Sequence, residues 1–211
     1  MKKILAFFLI LIGLVTLFFP KVMQLYETNK QDKLLKEWEN NGTQNESSLV
    51  ENYKSLNGVF GEANYNHIKT ENVPNSSDMP ENMAGVLEIT KINLKLPILE
   101  GANQKNLRIG AGHLEGTALP GEVGNSAIAA HRSRTYGRMF NRLKELKPGD
   151  KIITKDQKHS YIYQVYEVLI VKPEDLSVLK GEDNERILTL ITCDPITTGT
   201  HRLIIHAKLI S

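Results

Sequence analysis

The chain opens with an apolar run from Ile4 to Phe19 behind Lys2 and Lys3, continues as a long polar stretch, and changes at Gly85 into short apolar segments divided by Gly, Pro and Asp. Sixteen helical residues rise about 24 Å at 1.5 Å each. Extension through Pro20, Lys21, Val22 and Met23 brings the length to about 30 Å, a bilayer core, with Lys21 snorkelling to the headgroups. No small-x-small cleavage site follows Phe19, so the run reads as an uncleaved signal anchor rather than a removed signal peptide. Lys2 and Lys3 place the N-terminus in the cytoplasm and everything after Lys21 outside. Residues 1–23 are therefore expected as cytoplasmic tip and transmembrane anchor, 24–84 as a polar juxtamembrane spacer, and 85–211 as the folded domain. Within the spacer, Leu34, Leu35 and Trp38 at helical spacing predict a short amphipathic helix, and Asn40–Ser48 and Asn72–Glu81 read as linker.

After Gly85 the runs Val86–Ile89, Ile92–Leu99, Ser126–Ala130, Lys151–Thr154, Tyr161–Val171, Arg186–Cys193 and Arg202–Ile210 read as strands. One helix is expected at 137–146, where Met139, Phe140, Leu143 and Leu146 share a face and Pro148-Gly149 ends it. Many short strands with few helices predict a mainly β fold, a closed barrel of about eight strands or a sandwich.

Composition narrows the function classes. A single cysteine allows no internal disulfide and no tetrahedral cysteine-zinc module. The net charge of +2 lacks the basic stripe expected of a nucleic-acid binder. Charge is nevertheless uneven: residues 1–84 carry −2 and residues 85–211 carry +4, with every arginine in the latter.

Cys193 ends the run Ile187–Cys193, just before Asp194-Pro195, so its thiol is expected at the mouth of a strand. A buried inert cysteine is the common fate of this residue, yet a reduced thiol kept outside the cell at a strand end suggests use. A thiol nucleophile needs a proton partner and an oxyanion stabiliser. Among six histidines, His131 follows the apolar strand Ala127–Ala130 and so matches the strand-end placement of Cys193; His113, in Gly110-Ala-Gly-His113, is the competitor. Arg202 begins the next strand, nine residues after Cys193, and a hairpin over Asp194–Thr200 returns its fixed positive fork to the thiol. A surface arginine is the plainer alternative. Zinc on Cys193, His201 and His206 is disfavoured, because residues five apart on a strand point to opposite faces.

These residues resemble the sortase family. Thr189-Leu-Ile-Thr-Cys193 is similar to its TLxTC signature, and His131, Cys193 and Arg202 fall in the family's order. The stretches Leu87–Gly101 and Asn125–Arg132 also resemble the sortase barrel, so the likeness spans 85–211 and fits the N-terminal anchor. It implies Cys193 as nucleophile, His131 as general acid, Arg202 as oxyanion or substrate-positioning group, and Thr192 as an aid to substrate binding. The implied reaction cleaves an LPxTG-like sorting signal through a thioacyl enzyme and transfers the protein to a cell-wall amine. A missing second apolar span and the poor lid match of Asp78-Met79-Pro80 favour class D or class A over a pilin-polymerising class C enzyme. The compact barrel with the Gly112–Gly121 stretch resembles class D more, class A being the alternative. His113 would then belong to the substrate groove, a structural histidine being the alternative.

The rival functions are an extracellular cysteine peptidase and a non-enzymatic wall-binding β-domain. The resemblance implies no metal or other cofactor. Glu174, Asp175, Glu182, Asp183 and Glu185 form an acidic region that could order a loop around calcium, although solvated carboxylates explain them as well.

Overall fold

The structure, a computed structural model, describes residues 2–38, 83–181 and 184–211, with only part of the side chains in the N-terminal apolar run. The expected linkers and Glu182 and Asp183 lie outside the described residues. Eight strands close into a barrel: β1 (Met83–Ile89), β2 (Leu94–Glu100), β3 (Ala111–His113), β4 (Gly124–Ala129), β5 (Lys151–Lys155), β6 (Ser160–Val171), β7 (Arg186–Asp194) and β8 (His201–Leu209). Their order around the wall is β1-β2-β3-β4-β7-β8-β6-β5. The pairs β2·β3 and β4·β7 are parallel and the others antiparallel. Closure pairs every strand on both sides and leaves no sheet edge.

All seven expected strands are present. The eighth, β3, has only three residues, too few to show an alternation. A short helix, Gln104–Ile109, precedes it, started by the Asn103 side chain, which accepts a hydrogen bond from Asn106 N at 3.0 Å. The helix expected at 137–146 is a 3-10 helix over Met139–Glu145, broken at Phe140 (φ −85°, ψ 26°), yet Met139, Phe140, Leu143 and Leu146 are buried as their spacing predicts.

Alternation gives β4, β7 and β8 two different buried faces. Ile128, Leu188, Leu190, Leu203 and Ile205 point into the barrel and form its core with Phe140 and Tyr163. The opposite face carries Ala127, Ala129, Ile191, Cys193 and Ile204, covered by Leu107, Leu114, Val178 and Leu179. Cys193 thus sits on the outer wall under a layer of connecting segments, and that layer creates its apolar surroundings.

The N-terminal helix, α1 (Lys2–Trp38), is a single element with Pro20 inside it. The short amphipathic helix expected in the spacer is its C-terminal end, and it is docked: Leu34 and Trp38 are buried against Met83, Val86, Leu99 and Ile109. Burying each such side chain stabilises by about 1.5–3 kcal/mol. Gln157 Nε2 donates to the Trp38 carbonyl at 3.0 Å, and Arg138 Nη2 lies 3.6 Å from the Glu27 carboxylate. Among the described residues no helix is long and apolar enough to cross a membrane.

Candidate active site

Antiparallel pairing of β7 and β8 sets Cys193 directly opposite Arg202, one step before the strands part at Asp194 and His201. Alternation puts both side chains on the outer face. The six residues Pro195–Thr200 make the return, and Gly199 N donates to the Pro195 carbonyl at 2.8 Å. Arg202 is only 2% exposed, and its Nη1 donates to the carbonyls of Gly199 (2.8 Å) and His201 (3.0 Å). The loop's own backbone therefore aims the guanidinium, and the surface-arginine alternative is set aside.

His131 comes from the next strand along. β4 runs parallel to β7 with Ala129 opposite Ile191, and Ala130 N donates to the Ile191 carbonyl at 3.1 Å. Thr192 Oγ1 donates to the Ala130 carbonyl at 2.8 Å, and Phe140 N donates to the His131 carbonyl at 3.0 Å. The residue before His131 is thus tied to the strand that ends at Cys193, and His131's own carbonyl is fixed by the 3-10 helix.

The residue after His131 is tied to the same strand end. Arg132 Nη1 donates to the Cys193 carbonyl at 3.1 Å and to the Asp194 carboxylate. Sequence reasoning assigned no role to Arg132 or Asp194. Their signal was adjacency: a cation directly follows His131 and an anion directly follows Cys193.

Burial dominates the protonation of the pair. It pushes the Cys193 thiol up to about 11, against the opposing influence of the Arg202 and Arg132 charges. It also holds the His131 imidazole down at about 4, with Arg108 pushing the same way. Burial thus favours the neutral thiol of Cys193 and the neutral imidazole of His131.

Thr192 and His113, expected to bind substrate, are both fully buried with their polar atoms engaged inside the protein. Thr192 holds Ala130, as above. Parallel pairing of β2 and β3 sets Glu100 opposite His113. The His113 Nδ1 lies 2.8 and 3.0 Å from the two Glu100 carboxylate oxygens. Its Nε2 lies 3.0 Å from the Ala118 carbonyl and 2.8 Å from Thr117 Oγ1, whose own proton goes to the Leu114 carbonyl at 2.6 Å. Both ring nitrogens are thus engaged inside the protein.

His206 is buried with its Nδ1 2.9 Å from Thr189 Oγ1, which donates its proton to Asn125 Oδ1, whereas His201 is exposed on the other face of β8. Among the described residues no group of three His, Cys, Asp or Glu side chains could hold a metal ion.

The chain matches the family model described as "Sortase domain" over residues 87–210. It is 28% identical to Sortase D of Bacillus subtilis, with all of both chains covered. To Sortase A of Listeria monocytogenes it is 29% identical, over 99% of this chain and 91% of that protein. Among solved structures, a pilus-related sortase C of group B Streptococcus superposes with a TM-score of 0.62 at 30% identity, covering 86% of this chain and 97% of that one.

Proposed function

The chain belongs to the sortase family and is a cysteine transpeptidase, and we propose that Cys193 is its nucleophile, His131 its general acid and Arg202 its oxyanion-binding group. The observation that carries this reading is the pairing of Cys193 with Arg202 at the point where β7 and β8 separate, with His131 tethered to the same strand end. In this reading the thiolate attacks the threonine carbonyl of an LPxTG-like signal, and the Arg202 guanidinium receives the developing negative charge. Collapse of the tetrahedral species breaks the C–N bond, and His131 gives its proton to the departing amine. An incoming amine of the cell wall then attacks the thioester, passes a proton to His131 and expels the thiolate, which restores the starting ion pair. The apolar layer over Cys193 disfavours leakage of the thioester to water.

In the same reading Thr192 and His113 are positioning residues. Thr192 holds the His131 segment through Ala130, and His113 joins β3 to β2 through Glu100.

The family is typically membrane-associated, and the run Ile4–Phe19 supports a single-pass anchor with the barrel outside the cell. That run, extended to Met23, reaches about 30 Å as a helix. The docked end of α1 would hold the barrel close to the bilayer surface. Deletion of residues 2–23 should move the protein from the carbonate-washed membrane fraction to the supernatant; retention in the membrane would remove the anchor from this reading.

The test of the chemistry is mass spectrometry of the full chain incubated with a library of sorting-signal peptides. An acyl adduct on Cys193, discharged faster when an amine is added, is the expected result. An adduct elsewhere, or discharge indifferent to amine, would count against it.

A further inference from the structure

The guanidinium of Arg132 is nearly enclosed, its side chain 7% exposed, and its partner Asp194 is 18% exposed. One nitrogen of Arg132 serves two acceptors that flank the nucleophile: the Cys193 carbonyl oxygen at 3.1 Å and the Asp194 carboxylate. The ion pair therefore joins the residue after His131 to the residue after Cys193. A fixed cation held against the backbone of the nucleophile is expected to stabilise negative charge on its sulfur, and a carboxylate held against that cation to offset the effect.

Building on the assignment of Cys193 as nucleophile, we infer that Arg132 and Asp194 form an opposed-charge clasp that both fixes His131 relative to Cys193 and sets how readily the Cys193 thiol ionises. Arg132 is a positioning residue in this scheme: it acts through the Cys193 main chain and through its charge, leaving direct contact with the substrate oxyanion to Arg202. The charges that act on the thiol are Arg202 from β8 and Arg132 from the segment after β4, and Asp194 of β7 is held against the Arg132 guanidinium. His131 precedes Arg132 in the chain, and Arg108 of the short helix acts on its ring. The effect of Arg132 on Cys193 follows the direction that this geometry requires.

A clasp that acted only mechanically would behave differently, and this sets the test. The rate of Cys193 alkylation by iodoacetamide is measured from pH 7 to 10 on the full chain in detergent, for Arg132→Gln, Asp194→Asn, Arg132→Lys and the wild type. Loss of the cation should slow alkylation at pH 8 by roughly three- to tenfold, whereas loss of the carboxylate should speed it. Arg132→Lys should keep an alkylation profile near that of the wild type but lose kcat, with KM little changed, because one ammonium replaces a fork. Both Arg132→Gln and Asp194→Asn shifting alkylation in the same direction, or neither shifting it, would overturn the inference. If Arg132→Gln does not fold, Asp194→Asn decides alone: faster alkylation supports the clasp, and unchanged or slower alkylation refutes it. Alkylation reads the thiol whatever the acyl chemistry, so a Cys193→Ala variant that still transfers peptide would instead remove the assignment on which the inference rests.

Discussion

Two histidines stand at the ends of neighbouring strands in similar sequence settings, and the barrel treats them in opposite ways. His113 closes β3 with both ring nitrogens facing acceptors, a carboxylate on one side and a carbonyl and hydroxyl on the other. His131 follows β4 in a partly exposed position, where burial and the Arg108 charge hold its ring neutral. The first has a built-in counter-charge and is committed to structure. The second is held toward its neutral form. Burial alone separates them badly, since the more deeply buried histidine is the one tied to Glu100 inside the protein.

The widest expected contrast comes from removing the chemistry. Cys193→Ala and His131→Ala should each lower transfer by at least about a thousandfold while leaving the melting temperature close to the wild type. A His131→Ala protein that retains most of its rate would break the comparison. Arg202→Ala should follow, with kcat reduced by about 100- to 1,000-fold as expected for loss of an oxyanion donor. Arg202→Lys should recover only part of that rate, because an ammonium cannot reproduce the two carbonyl contacts that aim the fork.

His113→Ala sharpens the comparison from the other side. It takes away the buried partner of Glu100 and should cost about 3–5 kcal/mol of stability, read by urea denaturation. Its activity loss should track unfolding and recover at low temperature, whereas that of His131→Ala should not. A stable but dead His113 variant would reverse the two roles.

The smallest expected effect lies in the pH dependence of stability. The folded pKa of His131 lies near 4, below its ordinary 6.5, so between these values the unfolded chain binds a proton that the native state refuses. Stability should therefore decline as pH falls from about 6.5 to 4. Cys193, raised from 9 to about 11, retains its proton when the unfolded chain has lost it, so stability should also decline as pH rises through that window. His131→Gln should flatten the acid limb and Cys193→Ala the alkaline limb, in thermal melts across pH.

Much of this was legible along the chain. Short apolar runs bounded by Gly, Pro and Asp marked seven strands, and Leu34 and Trp38 declared a helical apolar face. Three residues of β3 give no period to detect, and the break at Phe140 leaves the apolar spacing of 139–146 unchanged. Thr192 and His113 were the residues whose expected contact with substrate the sequence could not test. A threonine before the cysteine looks the same in sequence whether its hydroxyl faces a groove or the Ala130 carbonyl. The Glu100 partner of His113 becomes visible only through the parallel register of β2 and β3.

By itself the sequence determined which residue types the reaction has at its disposal, one thiol and a strand-end histidine, and the hairpin that returns an arginine to the thiol, because strand period and loop length are local properties. The tertiary structure decided which histidine is tied to a buried carboxylate, which face of β7 carries Cys193, and that Arg132 and Asp194 meet across 62 residues of chain. Those outcomes depend on which strands become neighbours and in what register, and that is fixed only when the barrel closes and its two buried faces fill.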